Sequence, residues 1–396
     1  MRCAAIGVGL AALMSFAPAL AQQPVAYSRP HTSWGAPDLQ GFWTNASITK
    51  MSRPAGITTL VISPEQAKAI EDKDFNNVRL AADQKPTDQT LGAPQRGNLQ
   101  ANGNYNAFWW DPGSKVAQIN GEFRSSWIVE PANGRIPYKA GRIAARPGGD
   151  EGGATTVAAA ARPAAAPTTP KPAAAKPAAP KAGEPKAFVE PGPSYGSART
   201  RLSPEAVAKS YEGPESRSLG ERCLIGFGGT GGPVMTNVLY NNMYQIVQSP
   251  NSVMILVEMN HDARIIPIVA NAAAAAHKPN AIKPWLGDSV GWYEGDTLVV
   301  ETRNVNPIQR GYISAQGKLT EKFTRLEDGV ILYQFEVDDP SQYSQVWKGE
   351  MPLNAGKGGL WEYACHEGNY GLKDILQGAR QKEARGEPLE LTADSE

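Results

Sequence analysis

The chain has 396 residues, 39 basic and 39 acidic, for a formal net charge of zero, with 41% hydrophobic and 20% charged residues. That is a globular balance without the basic excess that phosphate neutralisation needs, so nucleic-acid binding is set aside. Forty glycines and 32 prolines, without collagen's period, exclude an all-α fold and point to turns and short strands.

The chain opens with Met1-Arg2, an apolar run from Cys3 to Leu20 broken by Pro18, and Ala19-Leu20-Ala21 before Gln22. This pattern predicts a signal peptide over 1–21, cleaved at an A-x-A site. The mature protein is then periplasmic or secreted, with no integral membrane segment after cleavage. Of the three cysteines, Cys3 leaves with the signal, and in an oxidising space Cys223 and Cys365 are expected to pair. So long a loop gives about 3 to 5 kcal/mol in the chain-entropy model. The competing reading makes Cys365, beside His366, a nucleophile or metal ligand.

Ser63-Pro64-Glu65-Gln66 combines an N-cap serine, proline at the first helical position and a capping-box glutamine, predicting a helix from Pro64 to about Ala82. Asn120-Gly121 predicts a hairpin turn between Lys115–Ile119 and Glu122–Glu130. Gly148 to Pro193 is almost entirely Ala, Pro, Gly, Lys and Thr and cannot bury a core. It is expected to be a disordered, solvated insertion within one domain spanning 22–396, its lysines offering contact with an anionic envelope polymer. Ser203-Pro204-Glu205 repeats the helix-start signal. The glycine-rich stretch 226–232 lacks a preceding strand and a lysine-bearing helix, so it is a flexible loop and not a phosphate cradle.

From Tyr240 onward β runs alternate with turn residues: Tyr244–Ser249, Val253–Met259, Ala263–Ile268, Gly291–Tyr293, Thr297–Arg303, Leu319–Leu326, Val330–Val337, Gln345–Leu353 and Leu360–Cys365. A mainly β fold follows, an antiparallel meander closing into a barrel to remove its edges, with flanking helices. A C-terminal helix from about Tyr370 to Arg385 carries an apolar stripe of Leu372, Ile375, Leu376 and Ala379, and Gly386 stops it.

Asp38-Leu39-Gln40-Gly41-Phe42-Trp43 resembles the G-x-W entry of lipocalin-type barrels, in which a first-strand tryptophan closes one barrel end. A lipocalin-like barrel is what that resemblance implies. A broader set of blocks resembles a family of exported bacterial proteins. It comprises Pro37–Trp43, Asn133-Gly134-Arg135-Ile136-Pro137, Glu258–Pro267, Trp285-Leu286-Gly287-Asp288-Ser289, Glu294–Thr302 and Cys365-His366-Glu367-Gly368-Asn369-Tyr370-Gly371. That resemblance carries no catalytic residues.

Candidate chemistry centres on His261. With Asn260-His261-Asp262 as a three-residue hairpin loop, Met259 pairs with Ala263 and Glu258 faces Arg264, on the face of Met254 and Leu256. Such a pair either grips a ligand or is a plain cross-strand ion pair. His261 at the loop tip, oriented by Asp262, suits a general base, although Asn-His-Asp is also ordinary turn chemistry. His366, with Glu367 and Asn369 at the start of the last helix, is a second proton-transfer candidate or part of a helix cap. Trp109, Trp110, Trp285 and Trp292 fall beside loops, where they clasp a flat ring or merely cover the barrel ends.

The expected function is an exported enzyme doing cofactor-independent acid/base chemistry, of lyase, hydratase, isomerase or hydrolase type, on a small aromatic or cyclic substrate. His261, Asp262 and His366 are the catalytic candidates. Glu258, Arg264, Asp288, Trp285 and Trp292 are the substrate-binding ones. No cofactor is expected. A divalent metal needs His261 and His366 to meet a carboxylate such as Glu258 or Asp288. The alternative is a non-catalytic periplasmic binding protein for a small apolar ligand.

Overall fold

The computed structural model describes residues 27–83, 111–139, 204–226, 232–238, 240–307, 309 and 311–389. The signal sequence, the 148–193 insertion, Trp109, Trp110 and most of the glycine-rich stretch lie outside them.

The architecture is mainly β, a nearly closed antiparallel barrel of nine strands. Its strands are β1 (Gly41–Thr44), β6 (Met243–Gln248), β7 (Ser252–Val257), β8 (Ala263–Pro267), β9 (Asp288–Glu294), β10 (Thr297–Arg303), β11 (Lys318–Glu327), β12 (Val330–Asp338) and β13 (Trp347–Ala355). The order round the sheet is β8-β7-β6-β1-β13-β12-β11-β10-β9. The sheet returns on itself through a parallel bridge between Ile268 and Gly291, with Val269 N donating to Gly291 O at 2.8 Å. Closure removes the open strand edges that a flat meander would present.

Alternation makes the wall. In β12 and β7 every second residue is buried, so Val253, Ile255, Ile331, Tyr333, Phe335 and Val337 point into a common core with Trp43, Trp127 and Trp347. Trp43 is held by its indole Nε1 donating to Leu39 O at 3.0 Å. The Arg325 guanidinium lies 5.4 Å above its ring and donates to Asp328 O at 2.8 Å, at the end of the barrel where the short turns β6–β7, β9–β10 and β11–β12 lie. The longer connections 258–262, 304–317 and 339–346 gather at the opposite end.

Several expected boundaries move. The helix expected from Pro64 to Ala82 is two, α1 (Pro64–Glu71) and α2 (Phe75–Asp83). The capping box at Ser63 forms as read, but Asp74 accepts from Asn76 N and Asn77 N and starts a new helix there. Asn120 and Gly121 make the expected turn, at φ 52° and 80°, between β3 (Gln118–Ile119) and β4 (Glu122–Arg124). The strand expected to run on to Glu130 breaks after Arg124. β4 joins a small sheet with β3 and β2 (Val61–Ile62), while β5 (Ile128–Glu130) crosses to pair with β13. Leu360–Cys365 is not a strand; the place beside β13 goes to β1, drawn from the other end of the chain, with Trp43 opposite Ala355.

Helices α3 (Pro204–Ser210) and α4 (Tyr370–Ala384) share a small cluster of Val207, Tyr211 and Ala379 apart from the main core. Asn369 caps α4 by accepting from Leu372 N, and Gly386 follows its end at φ 68°. Cys223 and Cys365 form a disulfide across 142 residues, which ties the turn after α3 to the start of α4.

Candidate functional site

The β7–β8 connection is longer than the three-residue loop expected. The ladder ends with Leu256 opposite Ala263, and Val257 N donates to Asp262 O at 2.8 Å, so the loop spans 258–262. Asn260 and His261 both take left-handed backbone, at φ 59° and 46°, which these two residue types tolerate better than most. His261 is exposed. Asp262 turns back toward the barrel. Its Oδ1 accepts from Trp285 Nε1 at 3.2 Å, and its Oδ2 is buried with no partner. Burial pushes the Asp262 carboxyl above its ordinary value, although the Trp285 hydrogen bond and the nearby His261 pull the other way. Trp285 is 37% exposed, so one part of the indole fixes the carboxyl while another meets solvent. The neighbouring Leu286 N is held by Gln309 Oε1, and Gln309 Nε2 is a second buried group without a partner. The turn depends on Gly287, at φ 80°, where an added Cβ would sit 2.8 Å from Thr302 Cγ2.

The register overturns the expected Glu258–Arg264 pair. Arg264 lies opposite Ile255, a shift of three positions, and an odd shift sends every side chain to the other face. Arg264 therefore points into the barrel, 3% exposed, where it makes a two-pronged ion pair with Glu321, Nη1 to Oε1 at 3.0 Å and Nη2 to Oε2. Its Nη2 also reaches Thr302 Oγ1 at 3.1 Å and Ser289 Oγ at 3.3 Å, and Tyr333 donates to Glu321 Oε1 at 2.8 Å. Gly232 lies against its Cδ. Three residues along the same segment Met235, fully buried, gives its N–H to Tyr333 Oη at 3.1 Å. Glu258 is engaged elsewhere. Its carboxylate accepts from Met243 N at 3.1 Å and Trp361 N at 2.8 Å, fastening the start of β6 to the segment before the disulfide.

Asp288 and Trp292 lie on the outer wall, since the inner positions of β9 belong to Ser289 and Tyr293. Trp292 is 7% exposed, its Nε1 donates to Glu294 at 2.9 Å, and it is opposite Val299, so it is packing and not a platform. Asp288 binds Lys278 Nζ at 2.6 Å, Lys278 N at 2.7 Å and His277 Nδ1 at 3.1 Å. Burial acts to raise its pKa, but these hydrogen bonds outweigh it and hold the carboxyl below the ordinary carboxylate range. His277, which sequence reasoning passed over, is the one histidine among those described that is set between two carboxylates, with Nε2 3.1 Å from Glu301 Oε1. Its signal in the sequence is faint, since only folding brings the 268–287 connection across β9 and β10. His366 is exposed in the turn before α4, apart from the barrel interior.

The expected set thus separates. Asp262, Trp285 and His261 share one loop cluster, Arg264 is consumed inside the barrel, and Glu258, Trp292 and Asp288 serve as ties or packing. Cys223 and Cys365 are paired, which removes Cys365 as a thiol nucleophile. Among the described residues no three His, Cys, Asp or Glu side chains converge as metal ligands, and no helix is long and apolar enough to cross a membrane. Comparison with known proteins finds no matching family model, no matching curated protein and no matching solved structure.

Proposed function

We propose that the protein is an exported, lipocalin-like barrel enzyme that performs acid/base chemistry on a small aromatic or cyclic molecule at the loop-rich end of the barrel. The supporting observation is the Asp262 carboxyl. It is pushed by burial toward its protonated form, fixed at one oxygen by the Trp285 indole, left without a partner at the other, and set beside an exposed imidazole. Asp262 delivers or takes the proton, His261 is the partner group, and the open part of Trp285 receives the ring of the substrate. His366, exposed in the turn before α4, has no part in this chemistry. The signal sequence ending at Ala21 supports the exported part of the reading, and the buried Trp43 on β1 with the Arg325 guanidinium over its ring supports the lipocalin-like part.

The second reading is a periplasmic binding protein, favoured by the consumption of Arg264 and Glu258 in internal contacts, which leaves few charged groups for catalysis. Native purification followed by mass spectrometry separates the two. A retained small molecule that the protein converts, with Asp262→Asn lowering turnover by about 100-fold or more at unchanged melting midpoint, supports the enzyme. Retention without conversion makes the protein a carrier. Asp262→Asn keeps the acceptor for Trp285, so a large loss of stability would instead make the residue structural.

A further inference from the structure

The connection from β8 to β9, residues 268–287, joins two parallel strands and so must run back from the short-turn end to the loop-rich end. It crosses the outside of the wall, where Asp288 and Glu301 face outward on β9 and β10. Wall residues that a bare barrel would expose are buried there: Val290 at 5%, Trp292 at 7% and Val299 at 1%. At its midpoint the connection is pinned by His277, whose Nδ1 faces Asp288 Oδ2 and whose Nε2 faces Glu301 Oε1, each at 3.1 Å.

We propose that His277 is a proton-operated latch whose imidazolium form, and not its neutral form, pins the 268–287 crossover to the barrel wall. The reason lies in donors and acceptors. An imidazolium has two N–H groups and donates to both carboxylates. A neutral ring has one, so its bare nitrogen lone pair would face a carboxylate oxygen. The two carboxylates favour the charged ring, whereas the cations beside them oppose it and act by keeping the carboxylates ionised. On β9, Asp288 keeps Lys278 Nζ and Lys278 N as donors. On β10, Glu301 keeps Arg303 Nε at 2.6 Å, and Lys318 of β11 adds positive charge near it. Burial works against ionisation of both carboxyls, yet those neighbours hold both below the ordinary range, so they stay acceptors. Neither is stranded when the ring loses its proton. Loss of the proton therefore releases the crossover from Glu301 on β10, while Lys278 stays tied to Asp288 and accepts from Asn304 Nδ2 at 2.8 Å, so the wall is not broken.

The two carboxylates stay ionised above the ordinary carboxylate range, so above it only the number of N–H groups on the ring alters the ties of the crossover. The crossover also carries Trp285, but the latch does not depend on the function proposed above, because its test reads no activity.

Hydrogen exchange of the full chain, read by mass spectrometry over 269–287 and corrected for intrinsic rates, is compared at about pH 5.5 and 8. Protection should fall roughly tenfold at the higher pH while β6 and β12 are unchanged. His277→Gln should abolish the dependence. Glu301→Gln, whose amide can accept from the charged ring or donate to the neutral one, should keep the crossover protected at both values. Equal protection of the unmodified protein at both pH values, or a His277→Gln protein that keeps the full dependence, overturns the latch. If His277→Gln fails to fold, Glu301→Gln still decides, because persistence of the tenfold loss in it also overturns the proposal.

Discussion

Arg264 and Glu321 are fully desolvated, with side chains 2% and 0% exposed, and their ion pair is supported by Tyr333, Ser289 and Thr302. Taking two charges out of water costs several kcal/mol per ion, which the pair offsets only while both members stay. Arg264→Met, leaving Glu321 charged in the core, should destabilise the protein by about 3 to 5 kcal/mol in urea unfolding, whereas adding Glu321→Leu should recover most of that loss. A double variant as unstable as the single one would show that shape, not charge, decides the site. The residue types here were legible in the sequence and their assignment was not. The sequence points to Arg264 as a binding residue, but the loop length that sets its face depends on two left-handed residues, Asn260 and His261, which local pattern does not count. Asp262 and Trp285 are each candidates from the sequence, and the hydrogen bond joining them spans 23 positions that only the fold closes.

At the level of elements, β13 and β12 show how one missing side chain shapes a wall. Gly349 lies opposite Phe335, and a Cβ built at 349 would sit 2.2 Å from Phe335 Cζ. The ring thus occupies the glycine's own place, and it meets Trp347 edge-on at 5.6 Å. Gly349→Val should cost about 1 to 3 kcal/mol through overpacking, measurable in urea unfolding, and a neutral result would mean that the ring moves freely. Most strands from β6 onward were readable from alternation and turn residues, because a half-buried antiparallel strand must alternate. β1 was not identified in that series: four residues at the start of the chain carry no period, and the strand exists because β6 and β13 hold it from both sides. Leu360–Cys365 had the composition of a strand but no neighbour left to pair with.

For the molecule as a whole, charge pairing sets the response to acid. Burial acts to raise the carboxyls of Glu221, Asp288, Glu301 and Asp339, but hydrogen bonds, joined at the first three by nearby cations, hold all four below their ordinary values. Their contribution is present above the ordinary carboxylate range and lost as pH falls through it. Asp111, raised by burial and by Glu258, and Asp262, raised by burial, act in the opposite direction. The depressed group is the larger, so the melting midpoint should fall by several degrees between about pH 6 and 3; an unchanged or rising midpoint would mean the raised pair prevails. The amino-acid sequence by itself determined the fold class, the two cysteines that pair, the helix starts at Pro64, Pro204 and Tyr370 and most of the strand series, since each of these follows from local period, capping chemistry or composition. Tertiary structure alone decided which face Arg264 takes, that β1 completes the wall, and that His277, not His261 or His366, stands between carboxylates. The physical reason is that these depend on register and on a crossover path, which are set by burial and barrel closure over the whole sheet and leave no periodic trace in the residues that obey them.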